Sequence, residues 1–271
     1  FSNIVMFFSK QLDKILVARL LGETLFGIYI IAGRVARVPE LMTKPLPNAL
    51  FPAYAKFQDD PKVVKEKYKT ALRIISLFYI PLIGGMIVMA TPFISIFLGD
   101  KWIKAALPMQ ILILAMSIKI ITTMGNSLFN AMGKTNLTFK VNYINLIVLS
   151  ILVYPLVRHY GVNGAALCYL IMSIAGFFVW KIEISKLIGF RITDLSCMLF
   201  SIFNTIFIVL MISYINHWLN IDHPGIFLCT IVFGVVVYFS IGFVVEKVTG
   251  LNFSHDVIET LHTLKQGQYN K

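Results

Sequence analysis

Apolar residues fill long stretches of the chain, and polar residues collect in the short connections between them. A helix needs roughly 20 apolar residues to cross about 30 Å of hydrocarbon, and about eight stretches approach that length. They cover approximately residues 3–21, 26–50, 70–91, 107–131, 141–157, 162–182, 195–218 and 225–245. A segment facing lipid must satisfy its backbone hydrogen bonds internally, and these stretches are far longer than barrel strands. The pattern therefore predicts an all-α, polytopic transmembrane helix bundle.

Composition agrees with this prediction. Of 271 residues, 58% are hydrophobic and only 14% are charged, which leaves too little polar surface to enclose one soluble core.

Lysine and arginine are unevenly distributed among the connections. Few lie in the first, third, fifth and seventh, whereas the second, fourth, sixth and the tail hold Lys56, Lys62, Lys65, Lys67, Lys69, Arg73, Lys134, Lys140, Lys181, Lys186, Arg191, Lys247, Lys265 and Lys271. Because cytoplasmic loops are enriched in these residues, both ends of the chain are predicted to be cytoplasmic. Topology and anionic lipid headgroups account for the net charge of +11, so nucleic acid is not an expected partner.

Prolines interrupt two of the predicted helices. We expect a bend in the second stretch, which contains or precedes Pro39, Pro45, Pro47 and Pro52, and a second flexible point at 81–85 in the third. After Gly250, apolar residues recur with helical spacing, which predicts a short amphipathic helix on the inner membrane surface.

Charged residues also occur inside the apolar stretches, and on two predicted helices they share one face at about 100° per residue. The set comprises Lys10, Asp13 and Lys14 on the first helix, Arg34, Arg37, Glu40 and Lys44 on the second, and Lys119 on the fourth. A charge at a helix centre costs about 2.5–3.5 kcal/mol, and each aliphatic neighbour returns only about 0.3–0.6 kcal/mol. The stripes must therefore face other protein or a water-filled cavity.

Positive charge exceeds negative charge in this set, since only Asp13 and Glu40 oppose six basic residues. Arginine stays charged when poorly hydrated and binds phosphate through two hydrogen bonds. We therefore interpret one group of cations as the site of a phosphate-bearing substrate: Lys10, Lys14, Arg34, Arg37 and Lys44, with Lys119 as a further cavity residue. Counter-charge from protein outside this sequence, or buried water, is the alternative explanation.

Asp13 and Glu40 are the only acids that we expect to be buried. They are candidates for coupling transport to H⁺ or Na⁺, and simple pairing with neighbouring cations is the alternative. No pattern typical of catalysis or metal binding occurs, because the outer connections are short and poor in carboxylates and the three cysteines lie far apart. We expect no enzyme activity, cofactor or metal.

Five segments in register resemble a known family: QLDKILVARLLGETLFGIYIIAGRVARVP (11–39), ALFPAYAKFQDDPKVVKEKYKTALR (49–73), LGDKWIKAALPMQILIL (98–114), NAMGKTNLTFK (130–140) and YGVNGAALCYLI (160–171). They look like the polysaccharide exporters, the lipopolysaccharide or O-antigen flippases of the multidrug/oligosaccharidyl-lipid/polysaccharide (MATE-like) exporter superfamily. The likeness runs to about Gly189 and more loosely beyond it.

The resemblance implies fourteen helices in two lobes around a cationic cavity that opens alternately to each side. This sequence would supply the seventh to fourteenth helices and would be part of a longer chain. Its expected divisions are a six-helix C-terminal transport lobe at 1–189, two additional transmembrane helices at 190–250 and a cytoplasmic tail at 251–271. The family's charged positions on its seventh and eighth helices match Asp13, Lys14, Arg34 and Arg37.

The function implied is translocation of undecaprenyl-pyrophosphate-linked oligosaccharides across the bacterial inner membrane, alongside polysaccharide polymerase or assembly proteins. Three alternatives stay open: another exporter of the superfamily that moves drugs, cations or other lipid-linked precursors, a membrane enzyme of envelope synthesis, and a non-transporting partner in polysaccharide assembly. A drug or cation exporter should carry an acidic excess, so the positive stripe favours an anionic substrate.

Overall fold

The structure, a computed structural model, describes residues 2–43, 45–219 and 223–249, and within these ranges it contains helices and no strand. The predicted amphipathic tail at 251–271 lies outside the described residues. The α-helices are α1 (Ser2–Ala36), α2 (Val38–Thr43), α3 (Pro45–Lys56), α4 (Pro61–Val88), α5 (Ala90–Phe93), α6 (Ala106–Ala131), α7 (Thr135–Ile188), α8 (Leu199–Leu219) and α9 (Pro224–Thr249). A π-helix at Ile94–Leu98 and 3₁₀ helices at Asp100–Ala105 and Ile192–Met198 connect them.

Helix α7 is a hairpin of two membrane-length halves. Gly161 interrupts its 54 residues with a φ of +57°, a conformation that favours glycine. In a straight helix, Lys140 and Glu183 would lie about 65 Å apart. They form an ion pair instead, and Gly176 packs against the side chain of Asn145. The two halves therefore run side by side, as the two predicted stretches at 141–157 and 162–182 require.

Helix α1 contains a similar interruption. Gly22, with a φ of +73°, leaves helical geometry at the start of the predicted outer connection GETLFG. The segments before and after Gly22 correspond to the first two predicted spans. By length and composition, five described helices could cross a membrane: Pro61–Val88, Asp100–Ala131, Thr135–Ile188, Leu199–Asn216 and Pro224–Phe243. Helix α1 is not among them, because charged residues occur along its length, so the first two predicted spans stay a prediction.

The second predicted span is divided where its charges and prolines lie. Helix α1 ends at Ala36, α2 ends at Thr43 and α3 begins at Pro45. Pro39 has no N–H to donate, so it fits the first turn of a new helix better than the interior of a continuous one. The helix is interrupted here, where the bend is expected. Helix α4, by contrast, continues without interruption through Pro81 to Val88.

Helix α6 forms the centre of the bundle. It packs against α1, α3, α4 and α7, and a larger share of it is buried than of any other candidate span. Helix α8 packs on α4, and a second, small group of buried residues lies around α8 and α9. The division of the chain at residues 189 and 250 stays a prediction.

Candidate anion-binding site

Two arginines of the predicted stripe line one pocket between α1, α6 and α7. Arg34 lies in the last turn of α1 and Arg37 directly follows the end of that helix, and both side chains are exposed. The pocket encloses about 160 Å³ and is also lined by Tyr29, Ile30, Gly33, Leu112, Met116 and Tyr169. Two guanidinium groups at one small cavity provide several N–H donors that can form hydrogen bonds with one anion.

The two guanidinium groups have no acidic partner among the side chains that the structure describes. No described carboxylate lies within 4.0 Å of Arg34 or Arg37. An anion placed between two like-charged groups offsets their mutual repulsion. The pocket is therefore an electrostatically suitable place for a negatively charged group.

A third cation lies beside this pocket. The ammonium group of Lys119, half-buried on α6, donates a hydrogen bond of 3.1 Å to the hydroxyl of Tyr169. It also lies 3.8 Å from the carboxylate of Glu40, which comes from α2. The structure thus brings Lys119 of α6 beside Glu40 and next to the pocket of Arg34 and Arg37, although Lys119 is far from all three in sequence.

Other predicted site residues are less fully described. Lys10, Asp13 and Lys14 lie on α1, but the structure does not describe their side chains, and Lys44 lies outside the described residues. Their part in the site stays a prediction.

The expectation that Asp13 and Glu40 are the only buried acids is wrong. Glu183 is only 6% exposed and is paired with Lys140. It lies one residue beyond the end of the predicted sixth stretch, so an estimate based on run length placed it in a loop. In the structure, α7 continues to Ile188 and Glu183 packs inside the bundle.

Sequence reasoning also missed Tyr29 and Tyr169. Both lie in apolar stretches, where a tyrosine is usually a core residue. For Tyr29, the only signal in the sequence is helical spacing. Tyr29, Gly33 and Arg37 are four residues apart and so lie on the same face of a helix.

A second, larger crevice of about 420 Å³ lies between α4, α6 and α8. Its lining is almost wholly apolar and contains no charged residue, so it does not suit an anion. Among the described residues, no cluster of histidine, cysteine or acidic side chains could hold a metal ion.

The fold of this chain resembles that of a known membrane protein. The fold matches the solved structure of the lipid II flippase MurJ in an inward closed conformation, with a TM-score of 0.71 at 20% identity, over 90% of this chain and 52% of MurJ. Five described helices are long and apolar enough to cross a membrane. The chain is thus a multi-pass membrane protein with a helical fold like that of MurJ.

Sequence matches show which families of proteins the chain resembles. Residues 1–107 match the model of the family described as polysaccharide biosynthesis protein. An uncharacterized membrane protein in the cps region of Klebsiella pneumoniae is 28% identical over 170 residues, which are 62% of this chain and 35% of that protein. The teichuronic acid biosynthesis protein TuaB of Bacillus subtilis is 24% identical over 181 residues, 66% of this chain and 38% of TuaB.

The lipopolysaccharide biosynthesis protein WzxC of Escherichia coli is 28% identical over 141 residues, 52% of this chain and 29% of WzxC. The matched region spans about a third of the length of these relatives. The predicted likeness to the polysaccharide exporters is therefore confirmed, and the chain is a relative of bacterial membrane proteins of polysaccharide biosynthesis.

Proposed function

We propose that this protein moves an undecaprenyl-pyrophosphate-linked oligosaccharide from the cytoplasmic to the periplasmic leaflet of the bacterial inner membrane. The observation that carries the proposal is the pocket lined by Arg34 and Arg37, which have no described acidic partner. The family relationship and the flippase fold support the same conclusion.

The chemistry of the substrate explains why such a site is needed. A pyrophosphate cannot cross hydrocarbon unaided, because removing its charges from water has a prohibitive cost unless opposite charges replace the water. In the proposed mechanism Arg34 and Arg37 neutralise the diphosphate, assisted by Lys10, Lys14 and Lys44, with Lys119 at the edge of the site. The sugars cross in water, and the prenyl chain stays in lipid.

The divided second span supports a moving site. Alternating access requires a few positions that absorb changes in backbone angle while the helices stay intact. The break at Arg37 lies at the pocket itself, so a change of angle there would reorient the arginines. Asp13 and Glu40 remain our candidates for H⁺ or Na⁺ coupling, and both ends of this chain are proposed to be cytoplasmic.

Arginine substitutions test the site. In proteoliposomes that contain the natural full-length protein and a lipid-linked oligosaccharide, Arg34→Ala and Arg37→Ala should each slow translocation roughly 10- to 100-fold, since a charge-assisted hydrogen bond contributes about 1.5–3 kcal/mol. Arg19→Ala is the matched control, because Arg19 is an exposed arginine on the same helix away from the pocket. Undiminished translocation by both pocket variants, with normal expression, would reject the site.

Two other functions make different predictions. If the protein exported organic cations, such a cation and not a lipid-linked oligosaccharide would protect a cysteine placed near Arg34 from labelling. If it were a non-transporting partner of polysaccharide assembly, its deletion would shorten or misorder the polymer without accumulating cytoplasm-facing lipid-linked repeats.

A further inference from the structure

Tyr169 joins the two parts of the cationic site. Its side chain lines the pocket that holds Arg34 and Arg37, and its hydroxyl accepts the hydrogen bond of Lys119. We propose that Tyr169 orients Lys119 as a third cation of the anion site and donates a hydrogen bond from its own hydroxyl to the bound diphosphate. The diphosphate then displaces Glu40 from Lys119. This inference rests on the proposed function and adds two residue roles to it.

The Tyr169 hydroxyl can donate a hydrogen bond to an anion while it accepts one from Lys119. A phenol is both a donor and an acceptor, whereas an ammonium group only donates. Because Lys119 donates to the Tyr169 oxygen at 3.1 Å, the tyrosine proton is directed elsewhere. The structure records no acceptor for this proton among the described residues, and the pocket with the two arginines adjoins the same side chain.

Glu40 is held less closely than Tyr169. Its carboxylate lies 3.8 Å from the Lys119 ammonium, beyond the reach of a direct hydrogen bond. Both side chains are accessible, since 34% of the Glu40 side chain and 39% of the Lys119 side chain are exposed. A diphosphate carries more charge and more acceptor oxygens than one carboxylate, so it should replace Glu40 as the partner of Lys119.

Replacement of Glu40 by the diphosphate also affects the second predicted span, which is interrupted at Arg37. Glu40 lies on α2, directly after the break at Arg37, whereas Lys119 lies on α6 at the centre of the bundle. The ion pair ties α2 to α6 when no substrate is bound. Its loss on binding would release α2 at the point where the span already bends, so that occupation of the site and movement of the span become linked.

Binding measurements on the intact protein test this exchange, with inorganic pyrophosphate as one probe and undecaprenyl pyrophosphate in nanodiscs as the other. Glu40→Gln removes the competing charge and should tighten binding of both probes about three- to tenfold. Tyr169→Phe removes one donor and the partner of Lys119, and should weaken binding by about threefold or more. Glu23→Gln and Tyr143→Phe are matched controls at exposed positions of α1 and α7 and should change nothing.

A double substitution separates the exchange from a general change in charge. In a protein that carries Lys119→Met, Glu40→Gln should no longer tighten binding of the probes. In a protein that carries Lys119→Arg instead, Glu40→Gln should tighten binding again. If Glu40→Gln tightens binding equally without Lys119, or weakens it, the exchange is wrong. Glu40→Ala provides the same test if the glutamine variant does not fold, as judged by its elution profile and unfolding temperature.

The outcomes distinguish this inference from the proposed function. If the wild-type protein binds neither probe, both fail. If it binds pyrophosphate but not the lipid, the ligand is a soluble diphosphate and the proposed function fails, while the signs of the Glu40 and Tyr169 effects still decide the exchange. If binding of the lipid depends on Arg34 and Arg37 but not on Glu40 or Tyr169, only the exchange fails.

Discussion

The ammonium group of Lys65 lies 2.8 Å from a carboxylate oxygen of Asp194, and this ion pair ties the connection between α7 and α8 to the beginning of α4. The same ammonium donates to the carbonyl oxygen of Gly189 at 3.1 Å, and Asp194 accepts a hydrogen bond of 2.7 Å from the backbone N–H of Arg191. Partial burial alone would raise the pKa of Asp194. These hydrogen bonds and the charges of Lys65 and Lys69 outweigh it and hold the pKa below its ordinary value.

Replacing Asp194 by asparagine should lower the unfolding temperature at neutral pH, with a loss of about 1 kcal/mol or less, as for other partly exposed ion pairs. A lowered folded-state pKa contributes stability above the unfolded-state pKa of about 3.9, and this stability is lost as the pH falls through the lower value. The gap between wild type and Asp194→Asn should therefore persist from pH 8 to about 5 and close toward pH 3. Thermal unfolding in detergent measures it, with the exposed Asp59→Asn as the control.

The two members of the Lys140–Glu183 pair should respond unequally to substitution. Glu183 is buried, whereas 53% of the Lys140 side chain is exposed. Lys140→Met leaves the buried carboxylate of Glu183 without its cation and should lower the free energy of unfolding by about 3 kcal/mol. Glu183→Gln leaves a lysine that water can solvate and should lower it by about 1 kcal/mol. Unfolding of both single variants and the double variant measures the difference. Equal losses would mean that water reaches Glu183.

Gly125 should not tolerate a methyl group. A Cβ at this position would overlap the indole of Trp180, a fully buried side chain. Gly125→Ala should therefore destabilise the protein by about 1–3 kcal/mol, the usual cost of overpacking a core. Gly85→Ala is the control, because a Cβ there meets nothing within 4 Å and alanine favours a helix. An unfolding temperature unchanged by Gly125→Ala would contradict this packing.

Orientation in the membrane can be tested with single cysteines. In a protein whose native cysteines at 168, 197 and 229 are replaced, cysteine at Asp100 should react with a membrane-impermeant maleimide from outside intact spheroplasts. Cysteine at Asp59 should react only after permeabilisation, because it lies in a Lys-rich connection. Both positions are exposed, so burial does not bias the comparison. The reverse pattern would invert the proposed topology.

Local pattern predicted the third to eighth spans well, because run length and the need to satisfy backbone hydrogen bonds act within one helix. The shared face of Arg34 and Arg37 likewise followed from helical spacing. The pairing of Glu40 with Lys119 could not be predicted, since it depends on how α2 packs on α6. Glu183 was missed for a related reason: its burial depends on the packing of α7 rather than on the hydropathy of its neighbours.

The turn at Gly161 fixes the length of the chain at that point. Gly164 packs directly against the backbone of Leu156, so the two halves of the hairpin are in close contact next to the turn. One inserted residue would rotate the second half by about 100° and carry its inward side toward lipid. At this turn, therefore, evolution can change the kind of residue but not the number of residues.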